Sequence, residues 1–536
     1  MSISANSFRL DRIAFMCEAG DSVRLIAMNV GAYSVAWMSS DPDIAAVGDD
    51  GVVTALSDGD ARITATLIGG GISAECIASV GYNGQNPTVP PSWGLYIADG
   101  EPHVFGERFY IYGSRDCPNG YMEGAPKNDW CSGDYHTLWS EDLIHWTDAG
   151  ISISIEDVPA EMRGQATRLW APDIFNDPKN GSYHLAFCSN GADVFIADGE
   201  QPEGPFANIR KITMGGETIR CIDPGVLVDD DGTVYIALPF EFFIAKLDPD
   251  DYSRIIPETK VGLRPIIDQA DAEYFPFEGP SLRKRNGLYY YIYISSRKGE
   301  NIPTRMGTLV ASDPMDIGSW RYGGPLIETR DFIRAGNVHG SFEEFGGKYY
   351  LSYHRMAQGF DRFTRMMNLD ELMFRADGTP IPVVRTSSGA RGFFPVGERV
   401  YAASACVLSG GREDDRFVRS YAQDKRSPYP YAYLKLSPDA YAGFRYVKTE
   451  PNVAAIQLNY RCREAARVMI EMVPRDSLDE QSARRFTVDL PKRSDWSTER
   501  CPFISGLDGV FEIRFSLEKS TEPPNAFDFA WFSISC

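Results

Sequence analysis

Gly287-Leu-Tyr-Tyr-Tyr-Ile-Tyr293 is a glycine followed by a tyrosine-rich run that has the composition of a buried β-strand. The same pattern occurs four more times, as Gly106-Glu-Arg-Phe-Tyr-Ile-Tyr112, Gly181-Ser-Tyr-His-Leu-Ala-Phe187, Gly232-Thr-Val-Tyr-Ile-Ala-Leu238 and Gly347-Lys-Tyr-Tyr-Leu-Ser-Tyr353. Successive copies start 75, 51, 55 and 60 residues apart. A repeat of about 50 residues with several strands per unit is typical of a β-propeller blade. Five copies predict five blades; the alternative is four blades and one chance match.

An ionisable residue precedes the glycine of every repeat by seven to nine positions. These residues are Asp99, Asp173, Asp223, Glu278 and His339. The first strand of each blade lines the central channel of a propeller, so equivalent positions are expected to point at one spot. One acid before glycine or proline is usually a turn residue. Five at the same phase indicate a functional site, because clustered acids repel one another and destabilise the fold.

Clustered carboxyl groups suit the hydrolysis of a glycosidic bond. That reaction needs one carboxylic acid to protonate the leaving oxygen and one carboxylate to act on water or on the anomeric carbon. A third carboxylate can raise the pKa of the acid and orient it. The alternative use is a metal site, since Asp and Glu with one His can hold Ca²⁺ or Mn²⁺.

The regions on either side of the repeats alternate apolar and polar residues between turn signals. Residues 1–82 predict a small Ig-like β-sandwich, and residues 393–536 predict a second β-sandwich. Residues 86–386 hold the repeats, with linker composition on both sides. The expected fold class is therefore all-β, with a five-bladed β-propeller flanked by two β-sandwich domains.

Charge and composition limit the partners. The chain of 536 residues has 53 Lys+Arg against 74 Asp+Glu, a net charge of −21, which disfavours nucleic acid and anionic membranes. The ten cysteines form no CxxC pair or Cys/His cluster of the zinc type. The first residues lack a basic start followed by an apolar run, so we expect a cytoplasmic protein with reduced thiols; secretion is the alternative. The oligomeric state is not indicated.

Several motifs occur in an order that resembles glycoside hydrolase family 43, the five-bladed-propeller arabinofuranosidases and β-xylosidases. The resemblance runs from about Asn86 to Val384 and includes Tyr96-Ile-Ala-Asp-Gly-Glu-Pro-His-Val-Phe105, Leu169-Trp-Ala-Pro-Asp173, Ile222-Asp-Pro-Gly225, Phe277-Glu-Gly-Pro-Ser281 and Gly336-Asn-Val-His-Gly340. It implies an oligosaccharide or polysaccharide substrate. The stretch from Trp37 to Leu56 similarly resembles the bacterial Ig-like group 2 module, and residues 393–536 loosely resemble family 6 carbohydrate-binding modules, with a purely supporting sandwich as the alternative.

The family resemblance also implies roles for individual residues. Asp99 would be the general base, Glu278 the general acid, and Asp223 the residue that tunes and orients the acid. His339 matches a histidine near a water or a calcium ion, and Arg355 matches an arginine close to the substrate. Family members invert configuration, which predicts that the carboxyl groups of Asp99 and Glu278 lie roughly 6.5 to 9.5 Å apart.

Two further residues are candidates for substrate binding. Trp170 could stack on a sugar face, with a core position as the alternative, and Asp173 could be an additional acid that holds a loop. A mouth narrowed by the loop Cys117–Cys131 would favour exo over endo action. No cofactor is expected beyond a structural calcium ion at His339.

These inferences predict an exo-acting, inverting glycoside hydrolase that releases terminal α-L-arabinofuranosyl or β-D-xylosyl units. The alternatives are the same scaffold acting on a galactosyl or galactofuranosyl unit, and a non-catalytic glycan-binding protein.

Overall fold

The computed structural model describes residues 7–122, 129–270, 272–299, 305–328, 338–356, 363–410, 418–419, 433–438, 440–476, 482–502, 506–518 and 527–536. The regular secondary structure of these residues is almost entirely β-strand, which confirms the predicted all-β class. The α-helices within them are short: α1 (Ala160–Arg163) and α2 (Arg264–Ala270). In this described part of the chain, neither is long and apolar enough to cross a membrane.

The N-terminal region forms nine strands around a small apolar core that includes Phe15, Leu25 and Ile63. The strands are β1 (Arg9–Leu10), β2 (Ala14–Cys17), β3 (Ser22–Arg24), β4 (Ala27–Met28), β5 (Val35–Ser39), β6 (Ala45–Val47), β7 (Val52–Ala55), β8 (Gly59–Leu67) and β9 (Ser73–Val80). One sheet has the order β3-β7-β6, and the other contains β2-β9-β8-β5.

Five sheets follow in sequence order, all antiparallel except for the parallel pair β18–β23 in the third. The first has β10 (Ile97–Phe105), β11 (Arg108–Arg115), β12 (Asp134–Ser140) and β13 (Trp146–Ser154); the second has β14 (Leu169–Asn176), β15 (Tyr183–Ser189), β16 (Val194–Gly199) and β17 (Ala207–Lys211). The third is built from β18 (Thr213–Met214), β19 (Glu217–Thr218), β20 (Gly225–Val228), β21 (Val234–Leu238), β22 (Phe243–Asp248), β23 (Asp251–Ile255) and β24 (Val261–Gly262). The fourth has β25 (Tyr274–Arg285), β26 (Leu288–Arg297), β27 (Arg305–Ala311) and β28 (Arg321–Glu328), and the fifth has β29 (Phe342–Phe345), β30 (Lys348–Met356), β31 (Arg365–Phe374) and β32 (Pro380–Ile381).

The five tyrosine-rich runs form β11, β15, β21, β26 and β30. Four of these are the second strand of their sheet in chain order, and the other, β21, pairs with β20 in the third sheet. Tyr290, Tyr291 and Tyr293 of β26 are all fully buried, although successive side chains of a strand point to opposite faces. Both faces of these strands are therefore covered, which is why their sequences are continuously apolar and aromatic.

The N-terminal sheet is continuous with the first of the five sheets. Strand β2 pairs antiparallel with β13, with Phe15 opposite Thr147 and Ala14 opposite Asp148. The result is one eight-stranded sheet in the order β10-β11-β12-β13-β2-β9-β8-β5. Main-chain hydrogen bonds, and not the connecting segment alone, hold the N-terminal region against the repeats.

The C-terminal region forms a β-sandwich, as predicted. Its strands are β33 (Val400–Tyr401), β34 (Val407–Gly410), β35 (Val418–Arg419), β36 (Tyr433–Leu436), β37 (Ala440–Thr449), β38 (Ala455–Cys462), β39 (Ala466–Pro474), β40 (Arg484–Leu490), β41 (Arg493–Pro502), β42 (Gly509–Leu517) and β43 (Phe527–Ser535). One sheet has the order β35-β36-β43-β38-β41 and the other β34-β37-β42-β39-β40. Rings of Phe444, Phe515 and Phe532 meet between them.

Candidate active site

The inner strands of the first four sheets are β10, β14, β20 and β25, and a residue with a left-handed backbone lies within or just before each of them. These residues are Asp99 (φ 55°), Ala171 (φ 29°), Asp223 (φ 50°) and Gly279 (φ 65°). A positive φ is unfavourable for any residue with a Cβ and is typically retained at functional sites. Asp99 and Asp223 thus hold the position that glycine holds in the fourth sheet, where Glu278 is the residue directly before it.

Asp99 is buried against three cationic or imidazole groups. Its Oδ1 atom lies 2.9 Å from Nη1 of Arg365 and 3.5 Å from Nδ1 of His339. Its backbone N–H donates to Nδ1 of His354 at 2.9 Å. Burial by itself raises the pKa of Asp99, but Arg365 and His339 outweigh it and hold that pKa well below its usual range. Asp99 is therefore a carboxylate at neutral pH.

Asp223 has the opposite electrostatic setting. Its Oδ2 atom accepts a hydrogen bond from the backbone N–H of Gly279 at 3.2 Å, which places it next to Glu278. Its own backbone N–H donates to Sγ of Cys188 at 3.2 Å. Burial and the neighbouring Glu278 charge raise the pKa of Asp223 to about 8. Asp223 therefore keeps its proton at neutral pH beside the half-buried Glu278, because two adjacent carboxylates repel each other.

The imidazole of His339 interacts with both Asp99 and Asp223. Its Nδ1 atom faces Asp99, and its Nε2 atom lies 4.0 Å from Oε1 of Glu101. Burial opposes a positive charge on this ring, but Asp99, Asp223 and Glu101 together raise the pKa of His339 to about 9. His339 is thus an imidazolium at neutral pH and offsets the negative charge of the surrounding acids.

Two family models match the chain. The model of glycosyl hydrolases family 43 matches residues 103–380, more than half of the sequence. The chain belongs to this family. Asp223, Glu278, His339 and Arg365 lie inside the matched range, and Asp99 lies just ahead of it. The model of the bacterial Ig-like domain (group 2) matches residues 22–78, which confirms the predicted nature of the N-terminal region.

Similar proteins include a "Xylosidase/arabinosidase" from Thermoclostridium stercorarium, 27% identical over 411 residues that cover 67% of this chain and 82% of that one. An "Arabinoxylan arabinofuranohydrolase" from Paenibacillus polymyxa is 29% identical over 331 residues, 55% of this chain and 51% of that one. Among solved structures, a glycoside hydrolase family 43 arabinoxylan arabinofuranohydrolase from Bacillus subtilis has a TM-score of 0.47 at 20% identity, covering 84% of this chain and 98% of that one.

Asp173 is one of the predicted substrate-binding residues of this family 43 enzyme. It is buried more deeply than Asp99, Asp223 and Glu278 are. The strand register explains the difference: Asp173, Glu101 and Ser281 each resume pairing directly after an irregularity in the inner strand. Asp173 is fully buried and bonds to Nε2 of His103 at 2.6 Å and to the backbone N–H of Val226 at 2.7 Å. It ties the second sheet to the third, so its position corrects the assignment to substrate binding.

Arg355 is also displaced from its predicted place near the substrate. Its buried guanidinium donates to the carbonyl oxygens of Ala403 and Ala405 in the C-terminal region. The preceding residue, His354, faces Asp99 instead, because neighbouring side chains of β30 point to opposite faces. The arginine at the acid cluster is Arg365, at the start of β31, which the sequence reasoning missed.

Aromatic residues lie beside Arg365. The ring of Trp130 lies 4.6 Å from the Cζ atom of Arg365 and contacts the ring of Phe363 edge to face. Trp170, predicted to stack on a sugar, is half-buried and donates from Nε1 to the carbonyl of Trp130 at 3.0 Å. Trp170 thus supports the segment that carries Trp130. The central part of the predicted mouth loop, residues 123–128, lies outside the described residues.

The carboxylates beside His339 are bonded to arginines, which disfavours them as direct ligands of the predicted calcium ion. Ca²⁺ takes six to eight oxygen ligands in proteins. Here Oδ1 of Asp99 is paired with Arg365, and Oε2 of Glu101 is paired with Nη2 of Arg283 at 2.7 Å. Across the described ranges, no group of three or more His, Cys, Asp or Glu side chains is arranged to hold a metal ion.

Proposed function

We propose that this family 43 glycoside hydrolase is exo-acting and inverting, and that it releases terminal α-L-arabinofuranosyl or β-D-xylosyl units from plant-type oligosaccharides. The observation that carries this proposal is the pair of opposed protonation states, with Asp99 ionised and a proton held at Asp223 beside Glu278. Hydrolysis of a glycosidic bond needs this combination of a carboxylate and an acid, and the inverting course is the one that the family resemblance implies. The names of the relatives support the two pentoses.

In this proposal Asp99 accepts a proton from the attacking water, and Glu278 gives one to the leaving oxygen. Arg365 keeps Asp99 ionised in the resting site, so that the base is ready near neutral pH. Asp223 favours a proton on Glu278, since a second negative charge beside it is unfavourable. The imidazolium of His339 stabilises the carboxylate of Asp99 and limits the net negative charge of the site.

The scaffold we propose is a five-bladed propeller, closed between the fifth sheet and the first. Contacts between the inner strands support this arrangement: Gly100 and Gly340 form a parallel bridge, and Oγ of Ser281 bonds to Oε2 of Glu101 at 2.9 Å and to Oγ of Ser341 at 2.8 Å. These bonds join the first, fourth and fifth sheets. The acids of the site then surround one axis.

For the C-terminal sandwich we propose the fold of a carbohydrate-binding module in a supporting role. Tyr433 and Trp496 pack against each other edge to face and against the core cluster that contains Tyr82, Ile97 and Trp531. Aromatic rings that are used in this way are not free to stack on a sugar. Removal of this sandwich is expected to destabilise the repeats rather than only to weaken polysaccharide binding.

A panel of aryl pentosides and short arabinoxylan oligosaccharides tests the function, with the first-formed anomer followed by NMR. We expect release of one pentose with inverted configuration, and no release by the Glu278→Gln variant from substrates with a poor leaving group. A retained anomer would contradict the inverting assignment. Release of galactofuranose alone would favour the other sugar, which the "Beta-D-galactofuranosidase xynD" of Aspergillus niger, 26% identical over 330 residues, brings into consideration.

A further inference from the structure

Three exposed phenylalanines lie at one end of the third and fourth sheets. Phe240, Phe275 and Phe277 expose 65%, 49% and 50% of their surface. In the described part of the chain, one other phenylalanine, Phe393 at 37%, exposes more than a third of its surface. Scattered exposed apolar residues are normal, but a group of large exposed rings marks a binding surface.

The strand pairing places all three rings at the end of the sheets where the acids lie. Asp223 comes just before β20, and Gly225 at the start of β20 pairs with Ala237 near the end of β21. The turn after β21, which carries Phe240, is therefore at the Asp223 end. In the fourth sheet, Phe275 pairs with Ser296 near the end of β26, on the outer side of Glu278.

Phe275 and Phe277 are both exposed on β25, whereas Pro276 between them is buried. The pairing of β25 with β26 is irregular between Pro276 and Glu278, which is where Phe277 lies. The two phenylalanines therefore do not enclose Glu278 in a buried apolar pocket, but lie directly before it in β25 with their rings exposed.

The ring of Phe275 is held in place by an arginine side chain. The Cζ atom of Arg264, in α2, lies 5.1 Å from the ring of Phe275, and the Nε atom of Arg264 bonds to Asp268 at 2.8 Å. A guanidinium fixed by a carboxylate orients an aromatic ring through a cation–π contact. A ring that is already oriented loses little conformational entropy when a ligand stacks on it.

We propose that Phe240, Phe275 and Phe277 bind the leaving-group part of the substrate, the sugar rings beyond the bond that is cleaved. This inference rests on the proposed function, in which Glu278 protonates the leaving oxygen. A pyranose ring has an apolar face of C–H groups that packs on an aromatic ring. The net charge of −21 favours a neutral chain such as a xylan-type backbone over a polymer rich in uronic acids.

The test compares substrates with and without leaving-group sugars. The variants are Phe240→Ala, Phe275→Ala, Phe277→Ala and the triple change, with Phe393→Ala as the matched exposed control. For oligosaccharides with several leaving-group sugars, we expect each change to raise KM about five- to tenfold. For a pentosyl fluoride, whose leaving group fills no sugar site, kcat/KM should change less than about twofold. Equal losses on both substrates, or unchanged KM for every oligosaccharide, would overturn the proposal.

A binding measurement separates failure of this inference from failure of the proposed function. Calorimetric titration of neutral xylo-oligosaccharides into the wild type, the triple variant and Phe393→Ala requires no turnover. Loss of affinity in the triple variant alone supports the aromatic surface, even if the wild type cleaves no pentoside. Equal affinity of all three proteins overturns the surface, whatever the wild type cleaves.

Discussion

Arg365 and Asp99 form a buried ion pair, with Nη1 2.9 Å from Oδ1, although 266 residues separate them in the chain. The same guanidinium also donates hydrogen bonds from Nε and Nη2 to the carboxylate of Asp116, both at 2.9 Å. One arginine of the fifth sheet thus fixes two acids of the first. The protonation state of Asp99 depends on this contact between the two ends of the repeat region.

Arg365→Lys is expected to move the acidic limb of the pH–activity profile upward. The lysine keeps a positive charge but cannot bond to Asp99 and Asp116 at once. The pKa of Asp99 then rises, and activity is lost at a higher pH as the base becomes protonated. The measurement is kcat/KM against pH. Arg355→Lys is the matched control, a buried arginine bonded to carbonyl groups, and should leave this limb in place. Equal profiles for Arg365→Lys and wild type would contradict the prediction.

Asp223→Asn should move the alkaline limb downward. In the wild type, burial and the Glu278 charge raise the pKa of Asp223 to about 8, so the two acids hold a proton between them near neutral pH. Without the second carboxylate, less repulsion opposes ionisation of Glu278, so its proton is lost at a lower pH. We also expect kcat to fall by about 10² to 10⁴. The pH profile decides: an alkaline limb that stays where it was would show that Asp223 does not tune the acid.

The tyrosine-rich strands and the starts of the inner strands were predictable because both follow from local composition. The depth at which each side chain is buried was not predictable from local composition. Asp99 and Asp173 have similar spacings to their glycines, but the irregularity in each inner strand places Asp173 in the layer of Glu101. Likewise, whether His354 or Arg355 faces Asp99 depends on which face of β30 each side chain lies on. Arg365 is recognisable only through its distant partners Asp99 and Asp116.

Glu278→Gln should affect substrates according to their leaving group. The amide cannot donate the proton that an alkoxide leaving group needs, so kcat on oligosaccharides falls by about 10³ or more. An activated aryl pentoside needs little protonation and should lose much less. Initial rates on both substrate types are the measurement. The same loss on both would argue that Glu278 is not the acid.

Thorough chelation should leave kcat unchanged. The carboxylates that could hold a cation are bonded to Arg365 and Arg283, and base and acid are both supplied by side chains. Activity is measured after dialysis against a strong chelator, with circular dichroism to follow the fold. Loss of activity with an intact fold, restored by one particular metal, would show that the site holds a metal after all.

Asp99→Asn should abolish hydrolysis, and a small external nucleophile should restore bond cleavage. The amide cannot take a proton from water, but the rest of the site, with Glu278 and Asp223, remains able to assist the leaving group. Azide needs no deprotonation and can occupy the position of the attacking water. It is therefore expected to give a glycosyl azide of inverted configuration from an activated aryl pentoside, identified by NMR. The matched control is Asp173→Asn, whose acid is bonded to His103 and the backbone of Val226 and should show no azide-dependent rescue. A glycosyl azide of retained configuration would instead reveal a nucleophile in the protein, and would overturn both the role of Asp99 and the inverting mechanism.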